Sequence, residues 1–336
     1  MRYQWIDSLK GVGMILVVAT HTSLPTIFPR LSLMLTSGYM AMFFILSGYT
    51  AKKEPFALAV KKKAKRLLVP YFFYGIVITS MFTMVKGSID VNEWIGLLYS
   101  RCAIYPLNCS ENTFLLRMTS PLWFLSAMFM SYVWFYIYVG LKGAVNKCVG
   151  VMLYTIATII FNKIDILLPW SIDTSFLCSM FIIVGYEFSS YATKKYKKCF
   201  CYFTMQFFLL LVYIIMVSFN GKANLSVGFY GNHGIISIFL YFVYSIIITI
   251  LYSEILKSCV NNILAKFLAF VGKYSLRLMC IHLPIIVMTG LLFRKFGVLG
   301  QFAIFICAFV FSLAVSVIVG RVVCRYANKY PILKYI

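Results

Sequence analysis

Acidic side chains are the scarcest chemistry in the chain: nine Asp and Glu stand against 31 Lys and Arg in 336 residues. Charges of both signs together make up only 12%, about half the share found in a soluble domain. That excludes the two soluble domains the length alone would allow. Histidine is nearly absent as well, with three copies, and no His, Cys, Asp or Glu cluster has zinc-ligand spacing. There is no Gly-rich phosphate loop and no G-x-S-x-G elbow. The net charge of +22 comes without the aromatic-interleaved basic module that binds nucleic acid. Internal repeats and low-complexity segments are missing too.

Apolar length is what the chain has. Hydrophobic residues make up 62%, and runs of roughly 20 of them, enough to cross a bilayer, recur throughout. They predict ten helices, at 9–28, 31–50, 67–85, 121–141, 148–163, 174–192, 200–219, 235–256, 272–293 and 300–322. The fold expected is an all-α polytopic bundle of about ten transmembrane helices, one domain over residues 1–336 with no appended soluble domain. The first run follows an Asp and a Lys and closes without a small-residue cleavage site, so it reads as a retained span. Pro25 and Pro29 would hinge it to the second.

Ten spans put both termini on one side, and the bias of Lys and Arg says which side. With the termini cytoplasmic, 23 of the 31 basic residues fall inside, among them the stretch from Lys52 to Arg66 and KKYKK at 194–198. Eight fall outside. The longest outer loop, Lys86 to Ser120, carries Asp90, Glu93, Glu111, Cys102 and Cys109. In an oxidising compartment the two cysteines either pair or stay unlinked. The second outer loop, FNGKANLSVGFYGNHG, holds His233, read as a solvated loop histidine.

The other two histidines lie inside apolar runs. DSLKGVGMILVVATH, Asp7 to His21, puts Asp7, Lys10 and His21 on one helical face, because eleven residues return within about 20° of the starting direction. His21 would then sit about 16 Å deeper than Lys10 at 1.5 Å per residue. An ionisable group within a span is costly and normally faces a cavity or the bundle interior. His21 is therefore either a functional group or a histidine hydrogen-bonded between helices. His282, in KYSLRLMCIHLPIIV, has Ser275 two turns earlier on nearly the same face. It is either a second functional group or a packed histidine serving a carbonyl freed by Pro284.

The basic residue, ten residues, then His of the first span resembles the first motif of the membrane-bound acyltransferase-3 family, with Lys10 where Arg is commoner. MFFILSGYT at 42–50, KKKAKRLLVPY at 61–71, SPLWFLSAMFMSYVWFY at 120–136 and YSLRLMCIHLPI at 274–285 resemble further family elements in the expected order. Departures are Met40-Ala41 in place of Met-Pro, and Cys280 or its neighbour in place of Tyr. The resemblance implies acyl transfer, usually from acetyl-CoA, to a hydroxyl of a glycan or lipid-linked sugar of O-antigen or capsule type. It implies no bound cofactor, with acyl-CoA as co-substrate, and a multi-pass protein of the bacterial inner membrane. On that reading Lys10, Lys63 and Arg66 hold the CoA phosphates, with Ser47 and Tyr49 at the donor entrance. His21 acts as general base or transient nucleophile, Asp7 orients Lys10 or the first turn, and His282 joins the catalytic set. Ser275 and Trp123 would meet the acceptor, or Trp123 is an interfacial belt anchor.

Two other classes fit a ten-span basic protein. A lipid-linked glycan flippase needs an anion-lined path through the bundle, but the basic residues gather at the inner surface. A polysaccharide polymerase tends to carry outer-loop arginines, and the long loop has only Arg101 and Arg117.

Overall fold

The computed structural model describes residues 3–104, 116, 118–164, 166–191, 200–293 and 297–336. Cys109, Glu111, Arg117 and the 194–198 basic run lie outside them. Helices α1 to α4 run over Gln4–Thr20, Leu24–Ile27, Pro29–Thr36 and Tyr39–Tyr49. Helices α5 to α9 are Phe56–Lys86, Val91–Tyr99, Trp123–Gly140, Ala144–Asn162 and Ile172–Tyr191. Helices α10 to α14 are Phe200–Asn220, Ile235–Ser258, Ile263–Lys273, Ser275–Phe293 and Gly297–Tyr326. The protein is an all-α polytopic membrane bundle, with no strand among the described residues. Among the described residues, eight stretches are long and apolar enough to cross a membrane, α3 and α4 counting as one. The other two expected spans are α1, of 17 residues, and the apolar stretch Thr204–Asn220 of α10.

The boundaries differ from expectation at the N-terminus. The first helix covers 4–20 rather than 9–28. Thr20 Oγ1 donates to Val17 O at 2.8 Å and Thr22 Oγ1 to Ala19 O at 2.7 Å, so hydroxyls take the last-turn carbonyls. Pro25 and Pro29 then each sit at the start of a new short helix, where a missing N–H costs nothing. The second span breaks between α3 and α4, where Gly38 adopts φ 80° against Ser245 of α11.

Two glycine pairs fix the core. A Cβ on Gly11 would strike the Leu268 carbonyl, and one on Gly272 the Asp7 carbonyl, so α1 and α12 touch backbone to backbone. Gly48 and Gly185 do the same for α4 and α9. Ser8 Oγ donates to Ala265 O at 2.8 Å across the first crossing. α12 itself was not expected. Its 11 residues are too short to span, and Asn262 caps it through the Leu264 N–H at 3.2 Å.

At the end of the bundle where α1 starts, Glu187 of α9 accepts from Tyr138 of α7 at 3.0 Å and pairs with Lys147 of α8 at 3.7 Å. At the opposite end Arg101, fully buried, pairs with Asp173 at the start of α9. Its remaining nitrogens donate to Ser226 O at 2.6 Å and Leu168 O at 3.2 Å. Three loops are thus tied to one guanidinium.

Candidate active site

Helix α1 buries Met14, Val17 and Val18 along one face and carries Asp7 in its first turn, where a negative charge suits the helix dipole. Asp7 is buried, and Lys10 Nζ stands 3.8 Å from its Oδ1. His21 is not within the helix but caps it, with φ −90° and ψ 2° and its N–H on Val18 O at 3.3 Å. It is exposed on the bundle surface.

His282 lies directly against it. The two ring centroids are 5.1 Å apart with the planes tilted by 54°. Unlike His21, His282 is fully buried. Its Nδ1 sits 2.9 Å from Leu278 O. That contact needs an N–H on Nδ1, which leaves a lone pair on Nε2 of the neutral ring. Nε2 is buried without a hydrogen-bond partner, a cost of about 1–3 kcal/mol that a purely structural residue would not carry without return. Pro284 frees the Cys280 carbonyl, yet His282 bonds Leu278 instead. The proline therefore does not account for it.

A second cluster forms around Tyr132 of α7. Lys63 Nζ lies 3.5 Å over the centre of its ring. Its hydroxyl donates to Ser47 O at 3.2 Å, and the Arg66 charge acts on the same hydroxyl. Two residues assigned to donor binding from sequence, Lys63 and Ser47, thus meet at a tyrosine the sequence reading quoted but did not single out. Arg66 is exposed and Lys63 half-buried. Tyr49, the last residue of α4, packs edge-on to Trp5 at 5.3 Å and Tyr3 at 6.2 Å.

Among the described residues, two sequence candidates make no hydrogen bond or ring contact with either histidine. Trp123 is 7% exposed at the start of α7, its ring 6.1 Å from Phe124. Ser275 opens α13, half-buried and two turns from His282. His233 stacks on Phe219 at 4.1 Å and is exposed. In the long loop, Cys102 Sγ lies 3.0 Å from Ser120 Oγ, and burial pushes its thiol up. Sequence reasoning also passed over Glu93. It is buried and takes the Met118 N–H at 3.2 Å, the Thr119 N–H at 3.4 Å and the Thr119 hydroxyl at 3.0 Å. The signal for Asp173 was available: it is an acid just inside an apolar run, where an ionisable group calls for a partner.

The family model for an acyltransferase domain of the acyltransferase-3 type matches residues 3–321. No curated protein and no solved structure matches the chain.

Proposed function

Because the chain belongs to the acyltransferase-3 family over residues 3–321, and is thus a multi-pass membrane acyltransferase, we propose that it moves an acetyl group from cytoplasmic acetyl-CoA to a hydroxyl of a cell-surface glycan or its lipid-linked precursor. The observation that carries this reading is the His21–His282 pair. The basic end of the bundle, with Lys10, Lys63 and Arg66, faces the cytoplasm and takes the CoA phosphates through charge-assisted hydrogen bonds. The membrane is the inner membrane of a bacterium, and the acceptor is of O-antigen or capsule type.

The chemistry balances on one imidazole. His21, in its neutral form, takes the proton of the acceptor hydroxyl as the oxygen attacks the thioester carbonyl. The tetrahedral intermediate expels the CoA thiolate, the C–S bond breaks and the ester remains. The imidazolium then returns its proton to the thiolate. His282, with Nδ1–H committed to Leu278 O, can only accept at Nε2. A His21 N–H turned onto that lone pair during the reaction would leave the other His21 nitrogen free as base. The same geometry serves a path in which His21 carries the acyl group between donor and acceptor.

The test uses membranes or proteoliposomes with labelled acetyl-CoA and bacterial glycans, wild type beside His21→Ala. Wild type should release CoA and label glycan. His21→Ala should do neither while still folding and binding CoA. A wild type that consumes no acetyl-CoA removes the donor assignment, and a fully active His21→Ala removes the site.

A further inference from the structure

A cavity of about 270 Å³ opens at the end of the bundle where α1 finishes, between the end of α8, the start of α9 and the loop joining α10 to α11. No step described above uses it. Phe161 and Asn162 of α8, Asp173 and Thr174 of α9, and Phe229 and Tyr230 of the loop line it.

The walls are rigid. Phe161 stacks on Phe176 at 5.7 Å, and Phe176 stacks on Trp134 at 4.6 Å, so the ring at the cavity ends a column of three. Asn162 Nδ2 donates to Gly228 O at 2.8 Å and holds the loop against α8. Tyr230 packs on Tyr241 at 5.7 Å, and its carbonyl is held by Asn220 at 2.7 Å. Arg101 ties the floor together through Ser226 O, Leu168 O and Asp173.

One polar atom is left over. Asp173 is 7% exposed and its Oδ2 belongs to Arg101; beyond the nearby N–H groups of its own helix turn, its Oδ1 has no side-chain partner. Most buried polar groups are satisfied, and an exception calls for a reason. The charges narrow what can fill the gap. Arg101 neutralises Asp173, and among the described residues no Lys or Arg lines the cavity, so its walls do not favour an anionic ligand. What remains is flat aromatic surface beside a hydrogen-bond acceptor that wants an O–H. The volume falls just under the roughly 300–1,000 Å³ of sites for drug-sized molecules, which suits a single ring.

We infer that this cavity is a saccharide subsite that binds one neutral, polyhydroxylated ring, with a hydroxyl donating to Asp173 and a ring face on Phe161 or Phe229. Calling that ring part of the acyl acceptor rests on the reading under Proposed function; the binding itself does not.

The experiment is saturation-transfer NMR on the full chain in detergent with the methyl glycosides of glucose, galactose, rhamnose and N-acetylglucosamine. Val227→Trp fills the cavity from the loop, and Ile164→Trp does so from an exposed rim position should the first variant melt early. At least one glycoside should bind wild type and His21→Ala alike, and bind the filled variant tenfold or more weakly. No glycoside binding to wild type, or equal binding to a folded filled variant, overturns the subsite. CoA release from acetyl-CoA, measured in parallel, separates the two readings. Turnover with unchanged sugar binding sinks the subsite alone. Sugar binding lost on filling, with no turnover in wild type, sinks the acetyl-CoA assignment alone.

Discussion

His21 and His282 bring their rings to 5.1 Å from opposite kinds of position, one an exposed helix cap and the other a fully buried mid-helix residue. On the proposed mechanism this asymmetry divides the labour. Only His21 is open to a substrate. His282 is held by Leu278 O and presents a single lone pair toward its surroundings. On the proposed mechanism, His21 as base gains from a buried neighbour that does not compete for the substrate.

His282→Ala should therefore lower kcat by about 10²-fold, the low end for an acid–base group, and leave KM for acetyl-CoA near wild type. His282→Gln, which keeps an acceptor beside His21, should recover part of the loss. Steady-state CoA release on the three proteins checks this. A rise in KM with unchanged kcat would mean that His282 serves donor binding instead.

The backbone contact between α1 and α12 makes a sharp stability prediction. Gly11→Ala drives a methyl into the Leu268 carbonyl, and overpacking of this kind costs about 1–3 kcal/mol. Gly290 sits inside α13 with nothing within 4 Å of a Cβ. Gly290→Ala should be neutral or stabilising by up to about 1 kcal/mol, the helix penalty of glycine. Thermal unfolding in detergent should move in opposite directions for the two, and a Gly11→Ala protein as stable as wild type would contradict the packing.

Much of this architecture was legible because a span must be a long apolar run, and the ten expected runs each have a helix. The errors have physical reasons. The end of α1 is set by Thr20 and Thr22 hydroxyls competing for carbonyls, a local contest that hydrophobicity cannot see. α12 escaped because ILAKFLAFVGK is short and interrupted by Lys266. At the site, Asp7 and Lys10 are a helical turn apart, so spacing alone found them. His21 and His282 could be named from their cost in an apolar run, but not paired. Their contact is tertiary, as is that of Arg101 with Asp173, 72 residues along the chain.

That second pair is expected to matter for stability. Arg101→Ala leaves the Asp173 carboxylate buried and unpaired, a loss of about 3–5 kcal/mol. It also frees the Ser226 and Leu168 carbonyls. Arg101→Met with Asp173→Leu removes both charges and should recover a good part of the melting temperature. If the double variant melts no higher than the single, the guanidinium acts through the two loop carbonyls rather than through the ion pair.

Lys63 offers the cleanest test of the donor end. Over the Tyr132 ring it gains about 0.5–2 kcal/mol from the aromatic face, a modest hold that a phosphate can displace. A charge-assisted hydrogen bond to phosphate contributes about 1.5–3 kcal/mol. Lys63→Ala should then raise KM for acetyl-CoA by roughly 10–100-fold, at about 1.4 kcal/mol per factor of ten, with kcat little changed. Lys63→Arg should keep most of the affinity. Because Lys63 is only half-buried, the wild-type KM should rise with salt, and the Lys63→Ala KM should rise less steeply. Equal salt slopes for the two proteins would place the CoA phosphates elsewhere on the basic end.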